Sequence, residues 1–195
     1  MGSRPPDVTG LLAALTSELD RRGLNFMLIG GQAVLLHGLP RFTADVDVTL
    51  AVGPAALPEL RASCQALGLA PVTPASESVE AFVRRTFVLP ARHAATGVRV
   101  DFIFSTTGYE AKAVARAKRI PLGGVLVPFA TAEDLLIHKL FAGRPRDFED
   151  AEGIARRQAG VLDWTYLGRW VAEFAKVPGR EGMPAALERL KSLAG

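Results

Sequence analysis

The sequence predicts an α+β fold, broadly α/β, in which a small, mixed, twisted sheet is flanked by helices and followed by a C-terminal helical subdomain. Three observations lead there. Apolar runs of strand length alternate with helical stretches as far as residue 130, Asp45 to Leu50 alternates polar with apolar, and beyond Thr131 only the helical period remains. With 195 residues, 49% of them hydrophobic, the chain is long enough for one compact unit. Its core is expected over residues 1–130 and its helical subdomain over 131–195.

Each element has a local cause. Asp7 is placed to cap a first helix whose Val8, Leu11, Leu12, Leu15 and Leu19 share one face, and Gly23 follows its end. Phe26 to Ile29 reads as a strand that stops at Gly30-Gly31 and gives way to a helical stretch, Gln32 to His37. Asp45 to Leu50 reads as a second strand with acids on one face and valines on the other. Pro54 opens a helix to about Leu67, with Gly68 as its stop. Arg84 to Leu89 and Val98 to Phe104 are expected strands joined through Thr96-Gly97. A helix from Gly108 to about Lys118 would set Lys112, Arg116 and Arg119 in a basic stripe. Val125 to Phe129 is expected as the last strand. Helices then follow at Ala132 to Phe141 (capped by Thr131), Arg146 to Gln158, Trp164 to Ala175 and Pro184 to Leu193.

Composition excludes several classes. The single cysteine, Cys64, has no partner for a disulfide and no neighbours for a zinc site, so an intracellular, cytoplasmic protein is expected. No apolar segment has the look of a signal peptide or membrane span, because Leu24 to Leu39 is interrupted by Asn25, Gln32 and His37. The net charge is +3, yet residues 84–119 hold eight basic side chains against two acidic ones. That segment reads either as a set of solvated faces or as a surface for a polyanion such as RNA.

The chemistry concentrates in three aspartates and a glycine turn. Asp45 and Asp47, two apart on an expected strand, point to one face and repel unless a cation lies between them; hard oxygen ligands suit magnesium. Asp101 lies opposite the apolar face of Val100, Phe102 and Phe104. If its strand neighbours that of Asp47, three carboxylates converge as two-metal phosphoryl chemistry requires. Gly30-Gly31, between strand and helix, offers free amides to an anion.

Taken together, Leu28-Ile29-Gly30-Gly31, Asp45-Val46-Asp47 and Val100-Asp101-Phe102 resemble the motifs of the DNA polymerase beta-type nucleotidyltransferase superfamily. Within it, Arg41 to Asp47, Glu133 to Lys139 and Arg144 to Asp150 resemble the motifs of AbiEii-type toxins of type IV toxin-antitoxin systems, with Arg146 where lysine is usual. The resemblance runs from about Leu28 to Ile154. It implies transfer of a nucleoside monophosphate from a nucleoside triphosphate to an acceptor hydroxyl, with Mg2+ or Mn2+ held by Asp45, Asp47 and Asp101. It further implies catalytic parts for Lys139 and Asp147, and nucleotide contacts from Gly30, Gly31, Arg41, Thr43, Lys139 and Asp150. A tRNA or other RNA acceptor and a cognate antitoxin are the partners expected of a toxin.

Two other readings stand beside that one. The same motifs are similar to those of aminoglycoside nucleotidyltransferases, and residues 133–152, with six acids against three bases, would suit a cationic small acceptor. A non-catalytic nucleotide-binding member is the second, disfavoured by three intact aspartates. His37, His93 and His138 share no metal spacing and are expected to be structural. Trp164, Tyr166 and Trp170 are expected to pack the last helices. Ser105, Thr106 and Thr107 read as a helix cap.

Overall fold

The computed structural model describes residues 7–37, 43, 45–105 and 107–195. The chain divides into two compact units, one of residues 1–32 and 42–129, the other of 33–41 and 130–195. Among the described residues, no helix is long and apolar enough to cross a membrane.

The first unit is built on a seven-stranded mixed sheet. Its strands are β1 (Phe26–Ile29), β2 (Val46–Leu50), β3 (Leu69–Pro71), β4 (Val88–His93), β5 (Arg99–Phe104), β6 (Lys118–Leu122) and β7 (Val125–Phe129), in the spatial order β3-β4-β5-β2-β1-β7-β6. The pairs β2/β5 and β1/β7 are parallel, and the other four are antiparallel. All four residues of β1 are buried, as its place between β2 and β7 requires. Val46, Val48, Leu50, Val100, Phe102, Leu89 and Ala91 are fully buried. Cross-strand partners share a face of the sheet, so the register Val46↔Val100↔Ala91 gathers these residues onto one face and Asp47↔Asp101↔Pro90 onto the other.

Helices α1 (Val8–Arg21), α3 (Leu57–Ala66), α4 (Val79–Thr86) and α5 (Gly108–Arg116) belong to the same unit, and α2 (Gly30–His37) begins in it and continues into the second. Asp7 accepts a hydrogen bond from the Gly10 amide at 2.8 Å, and Thr107 caps α5 in the same manner. Three expectations change. Arg84, Arg85 and Thr86 are helical, not extended, because Ser78 caps α4 and Phe87 ends it in a left-handed turn. Asp45 precedes β2 instead of opening it. The helix through Lys118 stops at Arg116, and Arg119 stands on β6, an edge strand whose Lys118, Arg119 and Pro121 discourage further pairing.

The second unit holds α6 (Ala132–Ala142), α7 (Pro145–Arg157), α8 (Trp164–Phe174) and α9 (Met183–Ala194). Leu135, Leu136, Leu140, Ile154, Leu167, Val171, Leu187 and Leu190 form its core. His37 reaches the Ala130 carbonyl at 2.8 Å, a structural contact as expected of it.

Candidate active site

Where β1 ends, Gly30 takes a φ of +63°, a left-handed conformation that favours a residue without Cβ, and the chain turns into α2. A Cβ at Gly30 would collide with the Asp47 carboxylate, and one at Gly31 would meet Thr43 Oγ1 and Cβ at 2.5 and 2.7 Å. The bare backbone therefore lies against Asp47 and Thr43. Gln32 Nε2 donates to the Thr43 carbonyl at 3.5 Å, which ties this approach to the first turn of the helix. The opening amides of a helix lack partners within it, and the helix dipole favours negative charge beside them.

Asp47 and Asp101 are direct Cα partners on parallel strands, about 4.8 Å apart at that spacing, with both side chains on the face away from the core valines. Asp45 is exposed just before β2. Arg99 donates from Nε to Asp101 Oδ1 at 2.9 Å. This hydrogen bond, then the charge of Asp101, then those of Asp45 and Asp47, hold the guanidinium above its ordinary range. One cation thus feels all three carboxylates. Among the described residues, no three carboxylate, imidazole or thiol groups stand close enough to hold a metal ion. The expected convergence is therefore partial: Asp47 and Asp101 share a row, Asp45 lies off the strand, and Asp101 is engaged by Arg99. The donor set still fits a hard divalent cation beside an anion, since it offers carboxylate and hydroxyl oxygens around a glycine cradle.

Residues 13–190 match the family model described as Nucleotidyl transferase AbiEii toxin, Type IV TA system. The chain belongs to the AbiEii nucleotidyltransferase family. It is thereby an enzyme of the polymerase beta-like nucleotidyltransferase superfamily. No curated protein matches it. Among solved structures, it resembles the antibiotic-resistance factor ANT(2″)-Ia in solution, at 16% identity and a TM-score of 0.54, over 94% of this chain and 92% of that one. A crystal structure of ANT(2″)-Ia with adenylyl-2″-tobramycin gives 16% and 0.53, over 96% and 98%. An antigenic nucleotidyltransferase-like protein from Paracoccidioides brasiliensis gives 16% and 0.53, over 95% of each chain. At such identity the likeness extends to the fold.

In this nucleotidyltransferase, Lys139, Asp147 and Asp150 form a buried network within the second unit, joined from the surface by the exposed Arg144. Lys139 Nζ donates to Asp147 at 2.9 Å and to Asp150 at 2.7 Å, and Arg144 Nε donates to Asp147 at 2.6 Å. Burial pushes the Asp147 carboxyl up, but hydrogen bonds from Arg144 and Lys139 outweigh it and hold the group below the usual carboxylate range. The helix geometry explains the trio: Asp147 and Asp150, three apart on α7, present both acids to one lysine. Arg41, Phe42, Ala44 and Thr106 lie outside the described residues.

The AbiEii chain also carries a site neighbour that the motifs do not name. Arg99 is two residues before Asp101 on the same strand, so the period of two already placed it on the carboxylate face. The basic stripe, by contrast, loses a member. Arg119 stands on β6 and pairs with Asp20 at 3.1 Å, whereas Lys112 and Arg116 stand on α5. Tyr166, Trp170 and Phe174 stack along α8, with the Tyr166 hydroxyl donating to Asp134 at 2.6 Å.

Proposed function

We propose that this nucleotidyltransferase moves a nucleoside monophosphate from a nucleoside triphosphate to an acceptor hydroxyl, with Asp45, Asp47 and Asp101 as the carboxylates that hold Mg2+ or Mn2+. The observation that carries the reading is the single row of Asp47 and Asp101 beside a glycine turn pressed onto Asp47. A bound divalent cation would neutralise charge on the triphosphate and on the entering oxygen. Gly30 and Gly31 let phosphate approach the backbone amides, and Thr43 and Arg41 lie in the segment that follows. The acceptor oxygen bonds to the α-phosphorus as the bond from that phosphorus to the bridging oxygen breaks. Pyrophosphate leaves with that electron pair, and the acceptor's proton passes to the Asp101 carboxylate. Lys139, Asp147 and Asp150 form one charge-paired cluster within the second unit.

A small-molecule acceptor fits this surface better than a nucleic acid. Within the basic segment, Arg85 is paired with Glu77 and Arg119 with Asp20, acids from outside it that lower its surplus from six charges to four, and Arg99 is paired with Asp101. ANT(2″)-Ia, described with an adenylylated tobramycin, shares the fold and serves as the analogy. The second reading, a toxin modifying tRNA or another macromolecule and countered by an antitoxin, is favoured by the description of the family itself.

The test is incubation with each labelled nucleoside triphosphate and Mg2+, with either total tRNA or a panel of aminoglycosides. Label on a small acceptor supports the first reading, and label on RNA supports the second. Asp47→Ala should lower transfer at least about a thousandfold, roughly 4 kcal/mol of barrier, while leaving the melting temperature close to wild type. Near-normal turnover in that variant, or undiminished turnover after chelation, would falsify the carboxylate assignment.

A further inference from the structure

A large cavity lies away from the carboxylates. About 880 Å³ of open volume lies between α3, β3 and α4, closed at one end by the 3-10 turn Pro54–Ala56. Its walls include Leu57, Cys64, Leu69 and Val83, each at most 5% exposed. The volume falls in the range that holds small organic ligands.

Register places this cavity on the opposite side of the sheet from the aspartates. Leu69 and Pro71, which line it, pair with His93 and Ala91 on β4, and Ala91 continues through Val100 to Val46. That row belongs to the core-facing side, whereas Pro90, Asp101 and Asp47 belong to the other. A molecule seated between α3 and α4 is thus separated from the nucleotidyl-transfer site by the sheet.

The charged groups at the rim define what enters. Arg61 Nη1 meets Glu80 Oε1 at 2.5 Å, an ion pair that spans the gap from α3 to α4 with both side chains about half exposed. Arg84, one turn beyond Glu80 on α4, also lines the cavity and makes no ion pair or hydrogen bond among the described residues. The cavity therefore presents two guanidinium groups against one carboxylate, a surplus of one positive charge over an apolar floor. Cys64 adds no competing anion, because burial pushes its thiol up to about 12.

We propose that this cavity binds an amphipathic monoanion, an apolar chain or ring bearing one carboxylate, with the apolar body against Leu57, Leu69 and Val83 and the carboxylate on Arg84. A cationic amphiphile would meet Arg84 directly and be repelled. A neutral one would gain the floor and lose the charge contact.

The test is calorimetric titration of the full chain with dodecanoate and, separately, with dodecanol, each below its aggregation limit. Dodecanoate should bind with a stoichiometry of one, at least tenfold more tightly than dodecanol. Arg84→Glu, a change at an exposed position, should remove that preference, leaving dodecanol unaffected. Ala62→Trp, which fills the cavity, should weaken both ligands, and Gln65→Trp at the exposed lip provides a second filling variant if the first folds poorly. Equal affinity for acid and alcohol, a preference that survives Arg84→Glu, binding untouched by both tryptophans, or the lack of saturable binding would each overturn the proposal.

Discussion

Replacing Arg99 with methionine should tighten the binding of a divalent cation to this nucleotidyltransferase. Arg99 donates to Asp101 at 2.9 Å, with its own side chain 51% exposed and that of Asp101 21%. A pair so open to solvent is screened, and contributes about 0.5 to 1 kcal/mol. A cation that takes Asp101 must first break this pair, so its apparent affinity is reduced by the same amount. At 1.36 kcal/mol per factor of ten, removing Arg99 should strengthen cation binding about two- to fivefold. Loss of a positive charge that also feels Asp45 and Asp47 acts in the same direction. Titrating Mn2+ by the paramagnetic resonance of the free ion, without nucleotide, measures this directly. Without metal, the variant should melt no more than about 2 to 4 °C lower, the equivalent of the lost pair in a domain of this size. Unchanged or weaker Mn2+ binding in Arg99→Met would refute the reasoning, because then Asp101 is no ligand or Arg99 is not its competitor.

Three further outcomes are expected. Gly30→Ala should be costlier than Gly23→Ala: both residues have positive φ, which costs an alanine about 1 to 2 kcal/mol, but only at Gly30 does the added methyl collide with Asp47. Thermal melts of the two variants compare them, and equal losses would mean that the turn is not pressed onto the carboxylate. Lys139→Met should destabilise the protein by about 3 to 5 kcal/mol in urea, since it leaves two buried carboxylates without their shared cation. The same network sets an acid limit. The Asp147 carboxyl is held below its ordinary range when folded, so its stabilisation is complete above about pH 4 and is lost as pH falls through the folded value. A wild-type stability curve flat from pH 5 to pH 2 would contradict that assignment.

Much of this protein was legible in its sequence because the responsible interactions are local. Caps at Asp7, Thr107 and Thr131 and the spacing of Leu11, Leu15 and Leu19 specify helices within a few residues of chain. Period two placed Asp47 and Asp101 on polar strand faces, and the order of glycine turn, paired acids and lone acid carried the family resemblance. What the sequence could not supply is pairing between distant strands. That β5 lies parallel to β2 with Asp101 beside Asp47, across more than fifty residues, follows from burying both apolar faces in one sheet. Local reading also misassigned Arg84 to a strand, where the Ser78 cap extends a helix, and Arg119 to a helix, where pairing with β7 draws it into an edge strand. Charge was the least legible property of all. Residues 84–119 appear strongly basic in sequence, yet Glu77 and Asp20, both outside that segment, reach Arg85 and Arg119. Only tertiary structure sets which charges meet, because Coulomb attraction depends on distance in space and not along the chain.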